Sequence, residues 1–405
     1  MTTFERIKLG DLVTWAKGCN IPRDDTSADK NIPYLHYGDL YKKYGYCLNL
    51  PEVINDIIKI DGLDSIKEPQ MLHDGDIVFT LTSETVDDLG HCTLIINPDD
   101  VPFVSGMETT VLHLKESSKA LPTYLNYIFQ DENFRKIVRQ YVTGMKVYRV
   151  HPKDLMMIKI DLPPLDVQAK IVDILDSFSD SIINLGKIND NLLEIANLLY
   201  DCYFPYICGD DLPDNWTLGQ LGDIIEVHDS KRVPLSAKER SERAKIYPYY
   251  GAASVTDYVD SYLFEGVYLL LGEDGTVVND YGGPILQYVF GKFWVNNHAH
   301  ILTGKKGYTV DSLYLLCQRL NVSSIITGAV QPKISQSNMK TVPIIIPPED
   351  VVIEFSTKIA CLFELYRNNA TQCDALKRIR DQLIPELLSG EIDVSTLTLP
   401  TKYSF

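Results

Sequence analysis

The chain carries two copies of one long pattern, and this repeat limits its possible folds more than any other feature. TGMKVYRVHPKDLMMIKIDLPPLDV begins at Thr143, and TGAVQPKISQSNMKTVPIIIPPEDV begins at Thr327, 184 residues later and without a gap. Thr-Gly opens both copies, and a Pro-Pro pair stands near the end of each, at Pro163 and Pro347. Self-similarity over such a distance indicates a duplicated structural unit. We therefore expect two globular units, each followed by the same kind of junction.

The Pro-Pro pairs are predicted to be structural. Each pair follows a short apolar strand and precedes a long helix, where proline fits the first turn because its missing N–H would have no partner. DNA amino-methyltransferases also carry Pro-Pro, in a loop that needs Asn or Asp before the pair and an aromatic residue after it. Here Leu162 and Ile346 precede the pairs, and Leu165 and Glu349 follow them. The pattern argues against a methyltransferase active site at either position.

Apolar residues with heptad spacing predict a long helix after each Pro-Pro pair. The helices would span residues 165–204 and 349–388, about 60 Å each at ~1.5 Å per residue. The expected a/d seam of the first helix consists of Ile171, Ile174, Phe178, Ser181, Leu185, Ile188, Leu192, Ile195, Leu199 and Cys202. The expected seam of the second consists of Phe355, Ile359, Leu362, Tyr366, Asn369, Cys373, Leu376, Arg380 and Leu383. We expect an antiparallel intramolecular coiled coil whose register the polar Asn369 fixes, with intermolecular pairing as the alternative.

The segments before the helices are predicted to be mixed α/β units. IKLGDLVTWAKG from Ile7 resembles GQLGDIIEVHDS from Gly219, and strand-like runs separated by turns accompany one helical stretch late in each unit. The predicted fold class is α+β, with residues 1–162 and 206–346 as the two units. Residues 163–205 and 347–392 would form the helices, and residues 393–405 a C-terminal tail.

Charge is distributed unevenly along the chain. The formal net charge is −17, which on its own disfavours binding to nucleic acid. Residues 134–153 nevertheless contain six Lys or Arg and no acid, and residues 304–340 contain five basic residues and one acid. The first predicted helix holds seven acids and two bases. The basic segments are therefore candidates for DNA contact, and the acidic helix is a candidate for protein contact.

Several kinds of site find no support in the sequence. The eight cysteines include no C-x-x-C pair, which argues against zinc and disulfides, and neither a P-loop nor a G-x-G-x-x-G cofactor loop is present. His298 and His300 would share one strand face, but no third metal ligand is apparent, so a hydrogen-bonded or DNA-facing role is favoured. No apolar run reaches the ~20 residues of a membrane span, and the N-terminus has no apolar signal region. We expect a cytoplasmic protein without a catalytic, metal or cofactor site of its own.

The doubled junction resembles the specificity subunit of Type I restriction-modification systems. The resemblance covers residues 1–393 and rests on the repeated TG…PP-x-(D/E) junction that leads into a heptad helix. The LGD start of each unit, and YPYYGAAS and GKFWVNNHAHIL in the second unit, add to it. Gln168 of the first junction is matched by Val352 in the second, a departure from the repeat that bears on partner contacts at the second helix.

This resemblance implies a DNA-binding scaffold. Two target recognition domains would each read half of a split double-stranded DNA site, and the helices would space the halves and bind two modification (methyltransferase) subunits. Restriction subunits would join through the modification subunits. S-adenosylmethionine would be bound by the modification subunits, and no cofactor by this chain.

Side chains that hydrogen-bond phosphates or base edges define the candidate DNA contacts of each unit. In the first unit the candidates are Thr80, Thr82, Ser83, Glu84, Lys146, Tyr148 and Arg149. In the second unit they are Lys231, Arg232, Tyr250, Glu273, Asp274, Gln331 and Lys333.

Two other functions compete with this interpretation. An acidic coiled-coil adaptor or DNA mimic would bind restriction enzymes without reading DNA; the net charge favours it, and the basic segments oppose it. A self-contained methyltransferase is disfavoured, because no glycine-rich cofactor loop accompanies either Pro-Pro pair.

Overall fold

The computed structural model describes residues 3–206, 211–328 and 331–397. The chain divides into two compact units, which we call unit 1 (residues 1–182 and 375–405) and unit 2 (residues 183–374). Each unit combines a mixed α/β domain with segments of two long helices. The predicted α+β class is therefore confirmed.

Unit 1 is built around a five-stranded sheet. Its strands are β1 (Glu5–Lys8), β2 (Val13–Lys17), β3 (Ile32–Leu35), β4 (Cys47–Asn49), β5 (Lys59–Ile60), β6 (Ile77–Thr80), β7 (Thr82–Ser83), β8 (Cys92–Ile96), β9 (Val104–Ser105), β10 (Thr109–Leu114), β11 (Tyr148–Arg149) and β12 (Lys159–Leu162). Its short helices are α1 (Leu9–Leu12), α2 (Tyr37–Lys42), α3 (Leu50–Val53), α4 (Pro122–Gln130), α5 (Glu132–Arg139) and α6 (Pro152–Leu155). The main sheet has the order β2-β10-β6-β8-β4, beside a three-stranded sheet β5-β3-β9 and the pairs β1-β12 and β11-β7.

The first long helix, α7 (Leu165–Tyr203), leads from unit 1 into unit 2. Strands of unit 2 are β13 (Thr217–Gln220), β14 (Ile225–Val227), β15 (Tyr247–Tyr250), β16 (Val255–Val259), β17 (Phe264–Gly272), β18 (Leu286–Val295), β19 (Ala299–Gly304) and β20 (Pro343–Ile346). Its helices are α8 (Ala237–Ser241), α9 (Val310–Cys317) and α10 (Gln336–Lys340), and α11 (Glu349–Ser389) returns the chain to unit 1. The main sheet has the order β14-β19-β17-β18-β15-β16, and β13 pairs with β20.

The repeated LGD motif closes each unit in the same way. Leu9 and Leu221 are fully buried, and their N–H groups donate to the carbonyls of Ile158 at 2.9 Å and Val342 at 2.8 Å. These two acceptors are themselves 184 residues apart, as in the sequence repeat. A Cβ on the following glycine would lie 3.1 Å from Met156 in unit 1 and 2.9 Å from Lys340 in unit 2. The motif therefore needs glycine because the chain passes close to the end of α6 in unit 1 and to the end of α10 in unit 2.

The two long helices lie antiparallel, as the sequence predicts. In unit 2 the end of α7 packs against the start of α11, where the rings of Tyr200 and Phe355 meet edge to face at 5.6 Å. In unit 1 the start of α7 packs against the end of α11, with Val172 and Leu387 in one apolar core. Each fully buried large side chain of this kind stabilises the fold by about 1.5–3 kcal/mol.

The face that α7 turns toward α11 differs from the predicted seam by one position. Buried side chains include Leu175, Ser179, Asn189, Ala196 and Tyr200, one residue away from predicted members such as Ile174, Phe178, Ile188, Ile195 and Leu199. Both rows are periodic, and the predicted row is the more apolar. The buried row includes small and polar residues, of which Asn189 hydrogen-bonds to α11.

The predicted role of Asn369 as a register-fixing residue agrees with its contacts. Its side-chain amide donates to Asn189 Oδ1 at 2.9 Å, and Asn189 in turn donates to the carbonyl of Tyr366 at 3.1 Å. A buried amide pair of this kind disfavours other alignments of the helices, since a shifted alignment would leave the amides unpaired.

Candidate nucleic-acid interface

The ends of the Thr-Gly segment pair in the same way in both copies, and we call the paired segment the TG hairpin (residues 143–149 in unit 1, and residues 327–328 with 331–333 in unit 2). Thr143 and Arg149 exchange backbone hydrogen bonds of 2.9 and 2.8 Å, and Thr327 and Lys333 do so at the same distances. In both, the threonine hydroxyl also donates to the carbonyl of the last residue at 3.2 Å. The sequence repeat is thus a repeat of geometry.

Glycine is required at the second position of each TG hairpin. Gly144 has a φ of +107° and Gly328 a φ of +89°, a region in which other L-residues are strained. A Cβ would lie 2.1 Å from the carbonyl oxygen of Val147 in the first and 2.3 Å from that of Gln331 in the second. The turn therefore depends on glycine at this position in both copies.

Each TG hairpin docks beside the end of a central strand of the main sheet. In unit 1, β11 pairs with β7, with Tyr148 opposite Ser83 and Arg149 opposite Thr82. In unit 2, Lys333 bridges to Asp274 next to the end of β17. The structure thus brings together, in both units, two candidate segments that lie far apart in the sequence.

The candidates of unit 1 differ in their accessibility. Lys146, Arg149 and Glu84 are exposed, and the neighbouring Met145 is 92% exposed at the tip of the TG hairpin. Thr82, Ser83 and Tyr148 are half-buried, and the Ser83 hydroxyl donates to Asp88 at 2.9 Å. Thr80 has no exposed surface because its side chain points into the sheet core. Among the candidates of unit 1, Thr80 is therefore the one without surface for an external ligand.

In unit 2 the candidates take part in a compact ionic network, which we call the Glu273 network. Arg232 Nη1 lies 2.6 Å from Glu273 Oε2, and Lys333 Nζ lies 3.2 Å from Glu273 Oε1. His300 is buried, with Nδ1 2.6 Å from Asp229 and Nε2 2.9 Å from the carbonyl of Ile334. Each acidic group therefore faces at least one cationic or hydrogen-bonding side chain.

The electrostatics of the network stabilise the charged carboxylates. Burial raises the pKa of Glu273, but hydrogen bonding to Arg232, the nearby His300 and hydrogen bonding to Lys333 outweigh it, so the pKa lies below the usual value. Burial also raises the pKa of Asp229, and its hydrogen bonds from His300 and the Ile301 N–H outweigh that effect. Both groups therefore remain carboxylates at neutral pH.

The Glu273 network engages Arg232, one of the predicted DNA contacts. Its side chain is only 14% exposed and also donates to the carbonyls of Asp229 at 3.1 Å and Ala299 at 2.8 Å. Its Nε and Nη1 groups thus donate to internal acceptors, and its Nη2 lies 3.4 Å from Asp229 Oδ2. Arg232 is a structural cation, and Glu273, which is 13% exposed, is its partner.

The remaining candidates of unit 2 vary in exposure. Lys231 and Gln331 are exposed, and Lys333 keeps about half of its side chain in solvent. Asp274 pairs with His298, and the ring of Tyr250 packs edge to face on Phe293 at 5.7 Å. Lys231, Gln331 and Lys333 are therefore the best placed for an external ligand, and both histidines are hydrogen-bonded, one of the two roles favoured from the sequence.

Asp229, Glu273 and His300 bring ligand atoms within 4.8 Å of one another, a grouping that the sequence analysis missed. Arg232 and Lys333 already neutralise this cluster, and both ring nitrogens of His300 are engaged. A divalent cation would have to displace these cations, so the donor set fits an ionic network better than a metal centre.

A second surface lies on the long helices. The predicted heptad row of α7 is left partly exposed, with Ile188 at 47% and Ile195 at 46%. The corresponding residue of α11, Ile379, lies 184 positions after Ile195 and is 45% exposed. Each helix thus presents one isoleucine of the repeated pattern at an equivalent place.

No helix in the described part of the chain is long and apolar enough to cross a membrane.

Comparisons with known proteins match this architecture. A family model for the Type I restriction modification DNA specificity domain matches residues 1–194 and again residues 213–368. The type I restriction enzyme MjaIX specificity subunit of Methanocaldococcus jannaschii is 26% identical over 302 residues, which cover 68% of this chain and 70% of that protein. A putative type I specificity subunit, S.HindORF215P, of Haemophilus influenzae is 32% identical over 135 residues, about a third of each chain.

A solved structure supports the fold. The crystal structure of a Type-I restriction-modification system S subunit from M. genitalium superposes with a TM-score of 0.55 at 14% identity, and covers 95% of this chain and 96% of that one. The doubled TG hairpin, the paired helices and the double match of the family model agree with one another. The chain belongs to the family of Type I restriction-modification DNA specificity subunits, with two specificity domains.

Proposed function

We propose that this chain reads a two-part double-stranded DNA site, with one half-site for each unit. The single observation that carries the proposal is the TG hairpin, whose ends are joined by the same backbone hydrogen bonds in both units while its side chains differ. Two units that recognise different DNA sequences need the same backbone support and different exposed side chains. Lys146 and Arg149 in unit 1, and Lys231, Gln331 and Lys333 in unit 2, are then the first contacts.

The proposal is tested by exchanging one recognition domain. Residues 211–346 would be replaced by the matching segment of a family member with a different target, and the chain would be co-expressed with its modification subunit. Methylome sequencing should find one half-site changed and the other retained. If both half-sites changed together, or neither changed, independent reading by the two units would be refuted.

We further propose that the exposed isoleucines of α7 and α11 mark two equivalent docking sites for modification subunits. Ile188 and Ile195 belong to an unpaired heptad row, and such a row is buried when it receives another apolar helix. The row lies among exposed acids such as Asp190 and Glu194, which would favour a partner with basic flanks. Restriction subunits would join through the modification subunits, and the assembly would act in the cytoplasm.

Stoichiometry provides a sharp test of the docking sites. Ile195→Asp and Ile379→Asp should each reduce the modification subunits bound per chain from two to one, and the double variant should bind none. Ile246→Asp is the matched control, because Ile246 is also exposed but lies outside the helices. Native mass spectrometry of the purified complexes measures the result, and two subunits retained by the double variant would contradict the proposal.

We propose that the chain has no catalytic activity and binds no S-adenosylmethionine, which the modification subunits would bind instead. Both Pro-Pro pairs act as helix starts, and no methyltransferase loop surrounds either one. Calorimetry with the isolated chain should therefore show no heat of binding for S-adenosylmethionine. The competing function, an acidic adaptor that binds enzymes but not DNA, predicts no salt-dependent DNA binding by the assembled complex, and a gel-shift salt titration separates the two.

A further inference from the structure

A cleft of about 390 Å³ opens in unit 1 beside the TG hairpin. Its walls come from the end of β2 with Lys17, the segment after it with Asn20, the turn before β10 with Glu108, and the TG hairpin with Arg149. The sequence analysis selected only Arg149 and Thr82 from this cleft. The other polar residues come from segments distant in the sequence and carry no motif.

Four of the polar side chains that line the cleft are unpaired. Within the described part of the chain, no side-chain hydrogen bond or ion pair is formed by Lys17, Asn20, Glu108 or Arg149. All four residues are exposed. An acid and two cations therefore border one concavity without neutralising each other. Side chains left free in this way are available to an external ligand.

Glu108 is held in place by its backbone. It has a φ of +61°, which few residues other than glycine adopt. The turn around it is fixed by buried groups: the N–H of Met107 donates to the Tyr34 hydroxyl at 3.1 Å, and the Thr109 hydroxyl donates to the carbonyl of Gly106 at 2.5 Å. Unusual backbone conformations that surrounding structure enforces occur often at functional sites.

The same corner of unit 2 has the opposite character. The strands β2-β10-β6 in unit 1 correspond in order to β14-β19-β17 in unit 2. In unit 2 this corner contains the Glu273 network and the contact between Asp274 and His298, so its acids are paired internally. The shared strand arrangement therefore allows the charged side chains at this corner to form ion pairs. The unpaired charges of the cleft in unit 1 are a feature of that unit and not of the fold.

We infer that Glu108 reads a base in the half-site of unit 1 by accepting a hydrogen bond from the exocyclic amino group of a cytosine. This inference rests on the proposed function. An ionised carboxylate only accepts hydrogen bonds and is repelled by phosphates, so it has no role along the DNA backbone. In the major groove, guanine presents acceptors at this edge, thymine presents an acceptor and a methyl group, and adenine places an acceptor next to its amino group. Cytosine alone presents a donor without a neighbouring acceptor, and Arg149 in the same cleft suits the guanine of that pair or of the next one.

The test compares two isosteric substitutions that remove the same charge. Glu108→Gln should lower discrimination at one position of one half-site by about 5- to 150-fold, because the amide both donates and accepts and so tolerates other bases. Glu116→Gln is the control, since Glu116 is exposed and lies just beyond the opposite end of β10, away from the cleft. Each variant would be co-expressed with the modification subunit and examined by methylome sequencing, with its melting temperature measured on the purified complex.

The outcomes separate this inference from the proposed function. Relaxation at one former cytosine in one half-site, with the control and the other half-site unchanged, would support it. An unchanged recognition sequence for a folded Glu108→Gln complex would overturn it and leave the two-reader proposal intact, and so would relaxation at a position that is not cytosine. If the wild-type complex methylated no defined sequence, the proposed function would be wrong, and this inference would be wrong with it.

Discussion

At the residue scale, position matters more than residue type. Lys146 and Arg149 are exposed where a sequence of this kind would place DNA contacts, yet Arg232, chemically equivalent to Arg149, is fixed inside unit 2. The difference arises because Arg232 forms ion pairs with Asp229 and Glu273, whereas Arg149 forms none among the residues that the structure describes. Residue chemistry thus identifies the candidates, and three-dimensional packing selects among them.

The glycine of the TG hairpin gives a prediction at this scale. Gly144→Ala should lower the free energy of unfolding by about 1–3 kcal/mol, because a side chain at positive φ is strained and the new Cβ would contact the Val147 carbonyl. Gly186→Ala is the matched control: Gly186 lies inside α7 and an added Cβ meets nothing, so stability should rise by about 0.5–1 kcal/mol. Chemical denaturation measures both, and equal effects of the two substitutions would contradict the argument.

Some features of individual residues could be predicted from the sequence, and others could not. The repeat, the glycines of the LGD and TG motifs and the exposed basic residues of the TG hairpins can be predicted from local sequence patterns. The burial of Thr80, the Glu273 network and the cleft at Glu108 cannot, because each depends on residues that are brought together from distant strands. Such contacts leave no periodic or spacing signal in a single sequence.

At the element scale, the sequence predicts the bounds and the antiparallel direction of the two long helices, but not which face of α7 is buried. Their bounds, Leu165–Tyr203 and Glu349–Ser389, agree with the heptad pattern to within one residue at each end. The buried row of α7 lies one position from the predicted row and includes polar residues such as Ser179 and Asn189, which a search for apolar periodicity passes over. The pairing of Asn189 with Asn369 selects between them, and a polar pair is weak in any hydrophobicity pattern.

This amide pair can be tested by a double-mutant cycle. Asn369→Leu should destabilise the chain by about 1–3 kcal/mol, since Asn189 would keep a buried acceptor without its donor. Replacing both residues by leucine should be nearly neutral for stability, because no polar group is left unpaired. Urea denaturation of the four proteins gives the coupling energy, and additive effects of the two substitutions would show that the pair does not act as a unit.

At the scale of the whole molecule, the helices are the elements that both units share. Each helix begins in one unit and ends in the other, so its length is a property of neither recognition domain alone. If these helices hold the two recognition domains as the proposed function requires, the length of α7 and α11 sets the number of base pairs between the half-sites.

Removing one heptad from both helices tests this relation. Deleting residues 185–191 and 365–371 together removes matched turns of the antiparallel pair, including both members of the amide pair, and preserves the phase of the seam. The spacer of the recognition sequence should shorten by at most about three base pairs, because seven residues span about 10 Å. Methylome sequencing should find both half-sites unchanged; an altered base preference with an unchanged spacer would contradict the role of the helices.

The division of unit 1 along the chain also has a consequence for biosynthesis. Its core includes Leu387 and Val394, which pack with Val167 and Ile171, and Lys170 donates to the carbonyl of Ser395 at 2.6 Å. Unit 2, by contrast, is continuous from residue 183 to residue 374. On the ribosome, the unit that emerges first must therefore wait for the intervening unit to be translated, about 10 to 40 seconds at ordinary elongation rates. During that interval the apolar face of α7 near Ile171 lacks its partner, so the nascent chain exposes a surface that chaperones bind, and the second unit translated is the first to be completed.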